Sequence, residues 1–552
     1  MFFLKRIKLI LVVVIGVILT SCTPSSTPVE KATKQGILLM GNSADPESLD
    51  PALSTGMGES KIIRAIFEGL VRADDSTLEV QPAIAKSWEV LDDGKKYIFY
   101  LDENARWSDG SKVTANDFVF AWRRAVSPTI AAEYASLLYV IKNAKDIAMG
   151  KEKDISKLGV KALDNYILQV ELENKCSYFL SLLYHNVFFP LHEKTLRKFG
   201  ADKFPNAVWT KPENIVSNGA FVLTKWSINS VASVRRNKYY RNQSAIKLNG
   251  IDFFPISNMN TEDRAFRAGQ LHMTDSVCSH RIASIKKETP QNFRSDKWLG
   301  TYYYAFNTLR KPFDDFRVRK ALSLVIDRQA IIDNFLKANQ LPAFSLVPNG
   351  CGGMKTSEKI IKQQNISLAK KLLAEAGYPN GKGMPIIKIT YNVSEQHKPI
   401  AEAIQQMWKT HLGVDAQLYN LSWPAYLSAR RNKDFDVVRA SWIGDFAEPE
   451  TFLDMFTSAS ALNHSSWKNG EYDKLMLKAS NAKSKEQRLE YLSKAEEILI
   501  ESSPIIPLYY YSRVYQILPN VKNWRENLLD YRDYKGVYLE SDVKGVGNEI
   551  FY

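Results

Sequence analysis

The sequence predicts an α/β fold spread over about three domains or lobes. Three observations carry this. The chain has 552 residues, and one domain takes roughly 100–200. Apolar residues make up 45% and charged residues 24%, near the globular norm, which excludes collagen-like, coiled-coil and mostly disordered chains. Past about residue 300 strand patterns alternate with helical ones, and the earlier regions are richer in strands.

The elements follow in chain order. Lys5, Arg6 and Lys8 precede an apolar stretch from Leu9 to Leu19, too short for a span that needs about 20 residues and suited to the core of an export signal. A polar stretch with Pro24 and Pro28, from Thr23 to Lys34, reads as a tether. Ile37 to Gly41 and the alternating Lys96 to Leu101 are expected strands. Thr114 with Asp117 three residues on opens a helix reaching Val126. Asn165 to Leu172 alternates as a strand, and Phe221 to Lys225 with Ser230 to Arg235 as a hairpin. Ser367 to Ala376 is an amphipathic helix closed by Gly377. Ile386 to Tyr391 is a strand, Pro399 to Leu412 and Lys485 to Glu501 are helices, and a Pro-bounded apolar run fills Ile505 to Tyr511.

Chemistry-bearing motifs are sparse. The chain has no G-x-S-x-G, no P-loop and no G-x-G-x-x-G. His192-Glu193 begins like a zinc-protease helix, but Leu196 stands where the second His belongs. The seven histidines form no i, i+3 or i, i+4 pair. No nucleophile with its base emerges, so an enzyme is the lesser reading, and no cofactor is implied. Net charge is +13, but the basic residues are dispersed and no motif supports nucleic-acid binding. Apart from Cys22 there are three cysteines, Cys176, Cys278 and Cys351, without a C-x-x-C; an odd number argues against a disulfide framework.

Leu19-Thr20-Ser21-Cys22 resembles the lipobox of bacterial lipoproteins, which implies cleavage before Cys22 and acylation of its thiol, holding the protein at a lipid bilayer. The stretch Ala85 to Trp122 resembles the peptide-binding solute receptors of ABC importers, within the extracellular solute-binding proteins of family 5. It carries Trp88, Gly94, Phe99, Leu101, Trp107, Asp109, Gly110, Thr114, Ala115, Asp117 and Phe118 in that family's order. Asp45 to Pro51, Ile66 to Leu70, Asn214 to Phe221 and Asp314 to Leu322 agree with further family stretches. The resemblance runs from about Ile37 to Tyr511. It implies a two-lobed periplasmic-binding-protein fold with an additional third subdomain, closing on its ligand by a hinge. The expected division is a signal at 1–21, a tether at 22–36, lobe I from 37–68, 196–299 and 512–552, subdomain II at 69–195 and lobe III at 300–511. Short peptides, extended and bonded main chain to main chain, are the implied ligands, and the permease of an ABC peptide importer the implied partner of a monomeric receptor.

Arg439 to Pro449 resembles the family's R-A-G-W-C-A-D-Y-N-E-P. There the Asp binds the peptide's α-ammonium group, a role that falls here to Asp445; with Glu448 three residues on, Asp445 also reads as an ordinary N-cap. The resemblance implies that Trp442 walls the site, that Ser441 and Ile443 offer main-chain groups, and that Trp423, Tyr303, Tyr511 and Tyr134 hold aromatic wall positions, each equally compatible with core packing. Met57 takes the place of a strand of the opposite lobe. Arg439, His397, Arg310 and Arg430 match basic partners for the peptide carboxylate, a role suited to Arg by its planar fork; each also reads as a solvated charge. The chain departs from the pattern at Thr55 (Glu in relatives), Asp275 (Asn), Ala305 (Glu) and at Gly300 with Ile443, which replace a disulfide-bonded cysteine pair. The same fold also serves dipeptides, murein peptides, haem, nickel complexes or sugars, and a surface adhesin is a reading of another class.

Overall fold

A computed structural model describes residues 26–541 apart from 339, 362, 395 and 461. The signal at 1–21 and Cys22 lie outside the described residues. Part of the expected tether is corrected: Pro28–Gln35 is a helix. The Thr27 hydroxyl accepts from the Glu30 N–H, the Glu30 carboxylate accepts from the Thr27 N–H, Pro28 starts the first turn, and Gly36 closes the helix at φ 68°. Val29 and Ala32 are buried against Leu39, Phe266, Leu271 and Leu518. Two apolar residues on one helical face suffice to dock it, despite the polar composition that suggested a free linker.

Two antiparallel-rich sheets build the first half of the chain. In one, Ile37–Gly41 pairs in parallel with Gly250–Phe254, which continues antiparallel to Val231–Arg236 and Phe221–Ser227. In the other, the order is Ala85–Leu91, Lys96–Leu101, Ile167–Glu171, Val160–Asp164. The buried alternation of Lys96–Leu101, with Tyr97, Phe99 and Leu101 inward, is the period-2 pattern of a strand with one face on a core. Helix Ala115–Val126 begins with the expected box, Asp117 accepting from the Thr114 N–H and hydroxyl at 2.7 and 3.0 Å. Its buried Trp122 donates its indole N–H to the Phe188 carbonyl at 2.8 Å.

The second half carries a mixed six-stranded sheet ordered Leu341–Pro342, Ile505–Gln516, Phe293–Phe306, Val437–Ile443, Ile387–Asn392, Ala416–Leu421. Helices His397–Leu412 and Ile366–Glu375 cover one face, with Trp408 fully buried. Lys485–Ser502 and Gly470–Ser480 cover the other. The apolar run at Ile505 to Tyr511 is a strand that runs on to Gln516.

Two strands join the halves. Phe293–Phe306 and Ile505–Gln516 pair antiparallel in two stretches, with the register broken between Lys297 and Thr301. Their outer ends reach the first sheet, where Met273 bridges Met40 and Ile517; their inner ends lie in the six-stranded sheet. Paired strands with a register break between two separately packed bodies supply the crossing of a hinged two-lobed molecule.

Buried ion pairs fix the first half. Arg124 grips Asp50 through both carboxylate oxygens at 3.1 and 2.6 Å, both side chains nearly fully buried. Burial pushes the Glu68 carboxyl up, but Lys535 and Arg241 outweigh it and bring it down to about 2. Cys176 and Cys351 are buried free thiols, and the buried Cys278 donates to Asn260 Oδ1 at 3.4 Å.

Candidate functional site

The site grows from the Val437–Ile443 strand. Its first four residues are buried and its last three only half-buried. Along one edge it pairs with Phe293–Phe306 over its whole length, Val437 opposite Phe306 and Ile443 opposite Gly300. Along the other edge it pairs with Ile387–Asn392 only at Val437 and Val438. From Arg439 onward that second edge is unpaired among the described residues. An open strand edge is a template for another extended chain.

Just past the open edge the chain turns. Gly444 donates its N–H to the Leu299 carbonyl at 2.7 Å, and a Cβ there would stand 2.8 Å from the Leu299 side chain, so glycine lets the turn close. The Asp445 N–H bonds the Thr451 hydroxyl at 3.0 Å, and the Trp442 indole N–H approaches the same oxygen at 3.4 Å. The Asp445 carboxylate is thereby presented between groups from elsewhere in the chain. His185 Nε2 lies 3.8 Å from Oδ1. The Tyr134 and His185 rings pack at 4.5 Å. Burial raises the Asp445 carboxyl to about 7, opposed by Tyr134 and Arg64. His185 is no counter-charge: burial and Arg64 bring it down to about 3, and its Nδ1 accepts the Val187 N–H at 3.3 Å, which leaves a neutral ring with its proton on Nε2.

The opposite charge sits earlier on the same strand. Arg439 is 7% exposed and has no acidic partner among the described residues. It donates to the Tyr511 hydroxyl at 3.0 Å, approaches Asn392 Oδ1 at 3.5 Å, and lies 4.7 Å over the Tyr302 ring. Its Nε is buried without a hydrogen-bond partner. His397 Nδ1 lies 3.3 Å from the Tyr302 hydroxyl; burial first, then Arg439, hold this imidazole well below its usual range.

The expected residues thus fall into groups. Asp445 meets Tyr134, and Arg439 meets Tyr511 with His397 close by. Met57, at the start of helix Met57–Ile66, shares a cavity with Tyr511. Arg430 lines a small recess with Tyr303 and Ala305 and lies 5.4 Å over the Tyr426 ring. Tyr303 is 4% exposed and packs edge-on against Phe456 at 6.3 Å. Ser441 and Ile443 lie on the open-edged stretch, and Trp423 begins helix Trp423–Arg431. Arg310 is bound at 3.1 Å to both Asp434 and Asp436, at the end of the strand away from Ile443. Sequence reasoning missed Arg64, His185, Thr451 and Tyr302, which no local motif marks. The expected departure at Gly300 is visible as a contact: a Cβ there would meet Ile443 Cδ1 at 2.4 Å.

The model for bacterial extracellular solute-binding proteins, family 5 Middle, matches residues 79–464. The chain is 38% identical over 530 residues to the periplasmic oligopeptide-binding protein OppA of Salmonella typhimurium, covering 94% of this chain and 96% of that one. Among solved structures, Haemophilus influenzae OppA in complex with the peptide RPPGFSPFR superposes with a TM-score of 0.84 at 36% identity, over 92% of this chain and 99% of that one. The Escherichia coli murein tripeptide-binding protein MppA gives 0.85 at 35% identity, over 91% and 98%. MppA in its unliganded open form gives only 0.69 at 34% identity, over 94% and 99%. The fit drops for the open form of the same protein, so the lobes here stand in an arrangement other than that open one.

Proposed function

Because the chain belongs to the bacterial extracellular solute-binding proteins of family 5, we propose that it is a lipid-anchored receptor that captures short peptides between its closing lobes and delivers them to an ABC peptide importer. It carries out no covalent chemistry and acts as a monomer on the periplasmic side of the cell envelope, held to a membrane by acylated Cys22. Lobe I takes 37–68, 196–299 and the C-terminal segment, subdomain II takes 69–195 and lobe III takes 300–511.

One observation carries the reading: an open strand edge lies between two buried charges of opposite sign, Arg439 and Asp445, neither with a charged partner within hydrogen-bonding distance among the described residues. An uncompensated buried charge is costly. A peptide supplies both missing charges at its ends and, between them, a backbone for the edge. Four of the six steps between them run in the strand, about 13 Å at roughly 3.3 Å per residue, and the chain then turns, so the two charges stand apart by about the length of a short peptide of three or four residues at roughly 3.5 Å each. Asp445 takes the α-ammonium, with Tyr134 beside it; Ser441 and Ile443 offer main-chain groups; Trp442 and Tyr511 wall the cleft, and Met57 meets the peptide from the opposite lobe. Arg439 and His397 receive the carboxylate of short peptides and Arg430 that of longer ones. The double ion pair of Arg310 weighs against its taking part. Murein peptides with a free amino terminus fit the same requirement.

Calorimetric titration of the purified protein with peptides of two to six residues tests this. Binding that peaks at three or four residues is the expected result; failure of every peptide to bind would overturn it. Radiolabelled palmitate incorporated into the wild type and not into Cys22→Ala tests the anchor.

A further inference from the structure

Between the lobes lies a cavity of about 170 Å³ that the ends of the peptide do not explain. At roughly 30 Å³ per water it holds five or six waters, or one mid-sized side chain. Its apolar wall comes from Met57, Val277, Ile282 and Leu336, and its polar floor from Lys61, Asp275 and Arg513.

The charges on that floor are already engaged with one another. Lys61 is ion-paired to Asp275 Oδ1 through a short contact, and Arg513 Nη2 lies 3.8 Å from the same oxygen. Arg513 Nη1 also pairs with Asp530, which Arg532 approaches at 3.2 Å. Burial pushes Asp275 up, but Lys61 and Arg513 outweigh it and keep it ionised. The neighbouring Glu262 accepts the Asp275 N–H at 2.7 Å; burial first, then Asp275, push its carboxyl upward, so it adds no negative charge. Lys61 and Arg513 thus face Asp275 and Asp530 across the cavity.

It is the hydrogen-bond donors that are in surplus. Arg513 is 6% exposed, and its Nη2 has no hydrogen-bond acceptor among the described residues. The indole N–H of Trp298, on the same cavity, is likewise buried without one. Buried donors without acceptors are expensive, and a ligand oxygen relieves them. Asp275 offers little to a cationic side chain, because two cations already hold it and a third would meet their repulsion.

We propose that this cavity is a side-chain subsite selective for an acidic residue of the bound peptide, whose carboxylate is received by Trp298 Nε1, Arg513 and Lys61. The amide of Gln is the next best occupant, since it supplies an acceptor without charge. The proposal rests on the peptide-receptor reading, and its test separates the two.

Tripeptides of Ala carrying Glu, Gln, Leu or Lys at each position in turn are titrated against the wild type, Trp298→Phe and Asp275→Asn. At one position Glu is expected to bind at least tenfold tighter than Lys, with Gln between them. Trp298→Phe keeps the ring and removes the donor, so the ratio of Glu to Leu affinity should fall several-fold. Asp275→Asn removes a negative charge from the floor, so the ratio of Glu to Lys affinity should widen. Equal affinity for all four residues at every position, or a preference for Lys, would overturn the subsite while trialanine still binds. If trialanine and every other tripeptide fail to bind, the peptide reading falls, and the subsite with it.

Discussion

Replacing Asp445 with Asn should weaken peptide binding and at the same time stabilise the ligand-free protein. The two signs follow from one feature. Burial moves this carboxyl from 3.8 to about 7, a difference of about 4 kcal/mol between its charged and neutral forms. Because the folded pKa lies above the unfolded one, the folded state binds the extra proton, and stability is lost as pH rises from about 4 to about 7. At pH 8 the ligand-free wild type therefore bears the cost of the buried charge, and the amide does not. Its thermal midpoint should rise by a few degrees in the variant. For binding, removing one partner of a buried charge pair costs about 2–5 kcal/mol, or about 30-fold to a few thousand-fold in affinity. Differential scanning calorimetry without ligand and isothermal titration with a tripeptide, both at pH 8, read the two effects. A variant with a lowered midpoint and unchanged affinity would refute the reasoning and make Asp445 a structural cap.

Three further outcomes are expected. Tripeptide affinity should pass through a maximum between about pH 7 and 8: below it the proton on Asp445 must leave before the ammonium can pair, and above it the peptide amine, with a pKa of about 8, discharges. Titration across pH 5–9 checks this, and in Asp445→Asn the acid limb should vanish, since His185, down at about 3, stays neutral throughout. Arg439→Met should weaken free-acid tripeptides by about 10- to 150-fold, the worth of a charged hydrogen bond, and leave C-amidated ones unchanged; competition binding with the two forms checks it. Because Gly300 and Ile443 are ladder partners about 140 residues apart, Gly300→Cys with Ile443→Cys should oxidise to a disulfide, stabilising the fold by up to about 5 kcal/mol in the chain-entropy view, as a shift in non-reducing denaturant unfolding.

Local pattern was enough for the elements. Lys96–Leu101 announces a strand by alternation, and Thr114 with Asp117 announces a helix start, because both signals are written within a few neighbouring residues. The same kind of signal marked Thr27, Pro28 and Glu30, but the surrounding Ser, Thr and Pro outweighed it; the docking of Val29 and Ala32 depends on Phe266 and Leu518, far along the chain. The site was legible where its residues lie in stretches that resemble a known pattern. Asp445 and Arg439 share a strand and a recognisable motif. Arg64 and His185 reach Asp445 from other parts of the fold, and only tertiary packing sets which of many arginines and histidines does so. Exposure is equally a property of the fold, so Tyr303, an expected wall residue, lies almost wholly within the sheet's packing. Arg310 could not be distinguished from Arg439 by residue type. Asp434 and Asp436 neutralise the first, and the second is left among tyrosines.

The most direct measurement is the affinity of the protein for one tripeptide with a free amino terminus and for the same tripeptide N-acetylated, at pH 7.5. Acetylation removes the charge that Asp445 is held to receive and leaves every backbone and side-chain group downstream intact. The account predicts tight binding of the free form and a loss of at least 30-fold on acetylation, the lower end of the cost of an unpaired buried charge. Equal binding of the two forms would contradict it and place the peptide's anchor elsewhere in the cleft.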